Sequence, residues 1–136
     1  MLKDIIDGII EKLAENDVSQ VYSAFDGRSL ERKGQSFFTI VGISSFETTT
    51  PIYSPYTVYI PFKAEIELTV AAPEKYSMTA LYEYYDSNIE PVVFDMSGLT
   101  CRLSKMSVKF DSNIQRLVLS VRLAASGITR VERSNI

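Results

Sequence analysis

Residues 56–70 read Tyr56-Thr57-Val58-Tyr59-Ile60-Pro61-Phe62-Lys63-Ala64-Glu65-Ile66-Glu67-Leu68-Thr69-Val70. Every even position is apolar, while Thr57, Lys63, Glu65, Glu67 and Thr69 occupy odd ones. An alternation this long has the period of a β-strand with one buried and one wet face. Pro61 has no N–H to give to a ladder, which places it at a sheet edge or a bulge. A strand apolar on one side needs a second layer to cover it.

The flanking segments supply that layer. Leu2, Ile5, Ile6, Ile9, Ile10 and Leu13 form one stripe of a 3.6-residue period, an amphipathic helix that Asn16-Asp17 stops. A short strand over 18–25 follows, closed by Asp26-Gly27, and then a polar loop over 28–35. Residues 37–46 are a strand apolar on both faces, with Phe37, Val41 and Ile43 against Phe38, Ile40 and Phe46. Residues 47–55, with Pro51 and Pro55, are expected to project as an extended, stiff loop. Beyond the long strand, Pro73 opens a second helix whose stripe is Met78, Leu81, Tyr82, Tyr85 and Ile89, ending before Pro91. Two strands close the chain, 99–110 and 117–125, and 128–131 extends or bends the last one. In the first of these the apolar phase switches from Leu99, Cys101, Leu103 to Met106, Val108, Phe110, which requires a bulge near Ser104-Lys105. The order α-β-β-β-α-β-β is that of a single α+β domain over residues 1–136. Its two helices are expected on one face of a mainly antiparallel, mixed sheet.

Composition narrows the chemistry. The 136 residues are 46% hydrophobic and 23% charged, enough to bury a core, and they include one cysteine and no histidine. Without histidine there is no Ser-His-Asp or Cys-His catalysis and no His-ligated zinc. Cys101 alternates with two leucines and reads as a small core hydrophobe. No phosphate-binding glycine loop is present, and no apolar run approaches the ~20 residues of a membrane helix. The opening Met1-Leu2-Lys3-Asp4 lacks the pattern of a secretory leader. Asp4, Asp7 and Glu11 share a helix face and read as its solvated side rather than as a cation site. Glu65 and Glu67 lie on one strand face with Lys63; a charged wet face explains all three, and an acid/base pair in a cleft is the alternative. No catalytic residue, metal or cofactor is expected, and no membrane or sequence-specific nucleic-acid partner.

Surface suited to protein contact remains. Eight tyrosines and no tryptophan occur, and tyrosine joins a large rigid area to a polar tip. Residues 1–98 carry seven Lys/Arg against fifteen Asp/Glu, and residues 99–136 carry seven against two. One reading is internal neutralisation. The other is a surface with two poles, which makes Arg130 and Arg133 candidate interface residues. The tyrosine-bearing loop and the strand after it add Ile52, Tyr53, Tyr56 and Tyr59.

The order of elements resembles that of the tail terminators, the tail-completion proteins of long-tailed phages and prophage-derived tail-like particles. The resemblance rests on the helix beginning Leu2-Lys3-Asp4-Ile5-Ile6 and on Ile60-Pro61-Phe62-Lys63-Ala64-Glu65-Ile66 running through Pro73 into 76–85. Arg116-Leu117-Val118-Leu119 and Ser126-Gly127-Ile128 complete it. It implies a homo-oligomeric ring, six-membered in the family, that caps the tail tube and meets the head connector. Such a protein is assembled in the bacterial cytoplasm and resides in the virion or phage-like particle; the family carries no catalytic residues. Another neck or tail component is the near alternative. A small ligand-binding module or enzyme using the Glu65/Glu67 face is the alternative of a different class.

Overall fold

The computed structural model describes residues 2–18, 20–23, 37–73, 75–96 and 98–133. The expected turn at Asp26-Gly27 and the loop over 28–35 lie outside them. The sheet contains β1 (Val21–Ser23), β2 (Phe38–Thr48), β3 (Ile52–Tyr53), β4 (Thr57–Ala71), β5 (Leu99–Asp111) and β6 (Arg116–Glu132). Its order is β1-β2-β4-β6-β5, with β3 paired to β4 beyond the end of β2. Among the described residues only β1–β2 is parallel, and the other pairings are antiparallel. The helical layer consists of α1 (Leu2–Glu15), α2 (Met78–Tyr84) and α3 (Glu90–Val93), with a π-helical turn, Tyr85–Ile89, joining the last two. The architecture is α+β, with the helices on one face.

The alternation in β4 is realised as read: Phe62, Ala64, Ile66, Leu68 and Val70 are buried on the helix side. They face Gly127, Ala125, Leu123, Val121 and Leu119 of β6. Ile9 and Leu13 of α1, and Leu81, Tyr85 and Ile89 of the second helical segment, close the same core. A reciprocal amide pair ties the two helical segments together. Asn16 Nδ2 donates to the Asn88 carbonyl at 2.7 Å, and Asn88 Nδ2 donates to that of Asn16 at 3.4 Å.

Four local expectations meet the structure differently. The second helix begins at Met78, not Pro73, because Lys75 adopts φ 62° and Ser77 caps the start by accepting the Ala80 N–H at 3.1 Å. It also continues through Pro91. Glu90 donates its N–H five residues back to Tyr85, and this wider turn restarts the helix with Pro91 in the first turn of α3, where a missing N–H is cheap. In β2 the register slips between Ile43 and Ser45, so Phe46 crosses to the helix side and stacks on Phe62 at 5.1 Å. Phe38 and Ile40 remain on the other face, in a small cluster with Ala71 and Val118. Pro61 lies in a paired strand, but its backbone carbonyl accepts from Thr49 where β2 gives way to β3. Its missing donor faces that same gap, since N–H and C=O of one residue point the same way in an antiparallel strand. The bulge expected near Ser104 is present, as a register shift between Leu103 and Lys105.

Two substitutions test this core. Ile9 is 1% exposed, so Ile9→Ala should cost about 2–5 kcal/mol in a denaturant titration. Tyr85 is equally buried, and its hydroxyl has no hydrogen-bond partner among the described residues. Burial first, then Glu90 and Asp86, raise its pKa from 10.0 to about 12. Because burial disfavours the phenolate, ionisation takes nothing from the fold below the unfolded pKa and lowers its stability as pH rises from 10 to 12. Because the buried hydroxyl lacks a partner among the described residues, Tyr85→Phe should be neutral or stabilising by about 1 kcal/mol at pH 7. It should also remove that alkaline loss in unfolding curves recorded against pH.

Candidate interaction surface

The six candidate interface residues come from three separate stretches of chain, and the register gathers them at one end of the sheet. Ile52 faces Tyr59 and Tyr53 faces Val58 across β3–β4. Tyr59 in turn faces Arg130 across β4–β6. The Arg130 guanidinium lies 5.9 Å from the Tyr59 ring centre, and the Arg133 guanidinium lies 5.4 Å from that of Tyr53. Arg133 also donates its backbone N–H to the Tyr56 carbonyl at 2.7 Å and Nη1 to the Ser54 carbonyl at 2.9 Å.

The expected projecting loop is largely absorbed into this end. Thr49 donates its N–H to Pro61, β3 pairs with β4, and Ser54-Pro55-Tyr56-Thr57 make the turn. Ser54 Oγ accepts the Thr57 N–H at 3.2 Å and donates to the Thr57 carbonyl at 2.8 Å. Residues 47–55 thus lie along the edge of β4 instead of standing off as an arm, because β3 satisfies backbone groups that β2 no longer reaches. The prolines flank β3, where neither interrupts a ladder.

This tip is apolar and wet. Ile52, Tyr53, Tyr56 and Ile128 are 57%, 67%, 65% and 59% exposed. Tyr53 shares the helix-side face with Val58 and Val131, while Ile52, Tyr59, Arg130 and Ile128 share the opposite one. Arg130 also approaches Glu132 at 3.9 Å, a separation worth little between exposed groups. Below the tip, beside α1, opens a cleft of about 450 Å³. Ile5, Ile9, Phe62 and Leu99 form its apolar part, and Asp4, Glu11 and Glu15 lie on its rim.

Elsewhere the chemistry is occupied. Arg122 of β6 holds Glu67 at 2.9 Å and Glu65 at 3.5 Å, so the two carboxylates share one guanidinium on the open sheet face. Asp7 is paired with Lys3 at 2.6 Å. Among the described residues no three metal-ligating side chains come together. Cys101 is half-buried on the helix side, and burial pushes its thiol pKa up. The chain matches no protein-family model and no curated protein sequence.

Gly127 joins the tip to the body. A Cβ there would stand 2.6 Å from the Gly98 carbonyl oxygen and 2.9 Å from Phe62 Cζ. Because the first of these is backbone, Gly127→Ala should destabilise by about 1–3 kcal/mol. The measurement is a denaturant midpoint, with Gly8→Ala, which meets nothing within 4 Å, as the control that should not lose stability.

Proposed function

We propose that this protein is a structural assembly component of a phage or prophage-derived tail. In this reading it acts as a homo-oligomeric ring that caps the tail tube and joins it to the head connector. The observation that carries the proposal is the tip, where aromatic and aliphatic side chains stand exposed on both faces of a three-stranded end. Exposed apolar area of this kind, set among arginines, suits a protein partner better than a small ligand. The order of elements, which resembles that of tail terminators, supports the same reading. A ring of identical subunits uses a heterologous contact, so the tip would meet a different surface of the neighbouring copy.

Purified protein should run as a closed oligomer by multi-angle light scattering and appear as rings in negative-stain electron microscopy. Ile52→Glu with Ile128→Glu places two carboxylates on one face of the tip, both at exposed positions. The variant should fold normally by circular dichroism yet dissociate to monomer. A monomeric wild type at high concentration, or a double variant that assembles unchanged, would overturn the reading.

A further inference from the structure

The sheet ends in two very different edges. β1 has 3 residues, whereas β5 has 13, and among the described residues nothing pairs with its outer side. The register sorts the β5 side chains. Leu103, Met106 and Phe110 stand opposite Leu123, Val121 and Leu117, on the helix side. They are nonetheless 38%, 39% and 57% exposed. The helices pack chiefly elsewhere, α1 on β1 and β2 and α2 on β6, and from β5 it is Leu99, Cys101 and Val108 that pack against the core. Arg102, Lys105 and Lys109 stand opposite Ala124, Arg122 and Val118, on the open face. All three are exposed, and none makes an ion pair with another described residue.

Three unsatisfied features therefore coincide on one strand: a free backbone edge, an apolar row on one face and a cationic row on the other. We propose that β5 is a strand-addition site for an extended segment of a partner protein in which apolar residues alternate with aspartate or glutamate. An added strand directs its side chains alternately to the two faces. Its apolar residues would then cover Leu103, Met106 and Phe110, while its carboxylates would meet Arg102, Lys105 and Lys109. A second copy of β5 is the wrong occupant. It would set cation against cation across the new ladder, and like charges directly opposite are destabilising. The lysines that block self-pairing, as edge lysines do, are also what selects an acidic strand. Beyond the bulge the register runs unshifted over 105–111, long enough for a typical strand of ~5–6 residues. The proposal uses a different surface from the tip and does not depend on ring formation.

The test is fluorescence anisotropy with the full-length protein. The probe is a labelled nine-residue peptide alternating valine with glutamate, compared with one alternating valine with lysine. The glutamate peptide should bind saturably and about tenfold tighter than the lysine peptide. The preference should reverse in the variant carrying Lys105→Glu and Lys109→Glu, both exposed positions. Prolines at alternate positions of the glutamate peptide should abolish binding, because strand addition needs its N–H donors. No saturable binding, equal binding of the two charged peptides, or undiminished binding of the proline peptide would overturn the proposal. Self-association that Phe110→Asp alone dissolves would overturn it too, since a second copy would then occupy the edge.

Discussion

The antiparallel ladder between β4 and β6 runs unbroken from Thr57 opposite Glu132 to Ala71 opposite Val118, and the rest of the molecule is arranged around it. At ~3.4 Å per residue, the 15 residues of β4 span about 50 Å. The 14 residues of α1 span about 21 Å at ~1.5 Å each, and the second helical segment, Met78 to Val93, about 24 Å. A helical layer of that length cannot cover such a ladder. One part becomes the body, where Ile66, Leu68, Val121 and Leu123 are sealed by Ile9, Leu13 and Tyr85. The remainder becomes a tip whose apolar side chains stay in water. The tip is the geometric consequence of strands longer than the helices that cover them.

How much of this could be read beforehand depended on whether the signal was local. The alternation of 56–70 and the stripe of α1 each lie within one element, and both are present. The phase switch in β5 disclosed the bulge at Ser104. The same kind of switch, from Val41 and Ile43 to Phe46, was available in β2, but a strand apolar on both faces mimics it. Only the register separates the two, and it moves Phe46 while leaving Phe38 and Ile40 on the open face. Pro91 misled because a π turn is a property of backbone hydrogen bonding, with no signature in side-chain spacing. The strand order, which separates β4 from β5 by β6, depends on pairings between distant residues that no local pattern encodes. The candidate surface divides in the same way. Tyrosine content and the C-terminal arginines were visible, yet Tyr59 beside Arg130 follows only from the alignment of two strands. The apolar phase of β5 places Leu103, Met106 and Phe110, but their exposure depends on what covers the strand, which no local pattern encodes.

Two parts of the chain's uneven charge have distinct places in the sheet. Some of it is internal neutralisation: β4 carries Glu65 and Glu67, β6 lies beside it, and Arg122 bridges them. The bridge joins exposed groups and contributes little to stability. A further part is on β5, where the neighbouring strand offers Ala124, Arg122 and Val118 opposite the three cations and no carboxylate. Charge is spent inside the sheet at its centre and left facing outward at its edge.

The arginines at the tip belong to neither part. Arg133 is fixed by the Ser54 and Tyr56 carbonyls and lies over Tyr53, so it closes the end of the β3–β4 hairpin against β6. Its charge lies against an aromatic face and the Ser54 carbonyl oxygen, both within the tip. That arrangement costs side-chain entropy in the folded chain, before any encounter, and leaves less to be ordered when a partner arrives. A surface held in this way contributes rigid shape, with Ile52, Tyr53 and Ile128 already in place. The β5 edge differs, since its long cationic side chains have no partner among the described residues and would be ordered only on contact. Shape at the tip and charge at the edge therefore favour different partners: a fixed apolar contour at one, an extended acidic strand at the other.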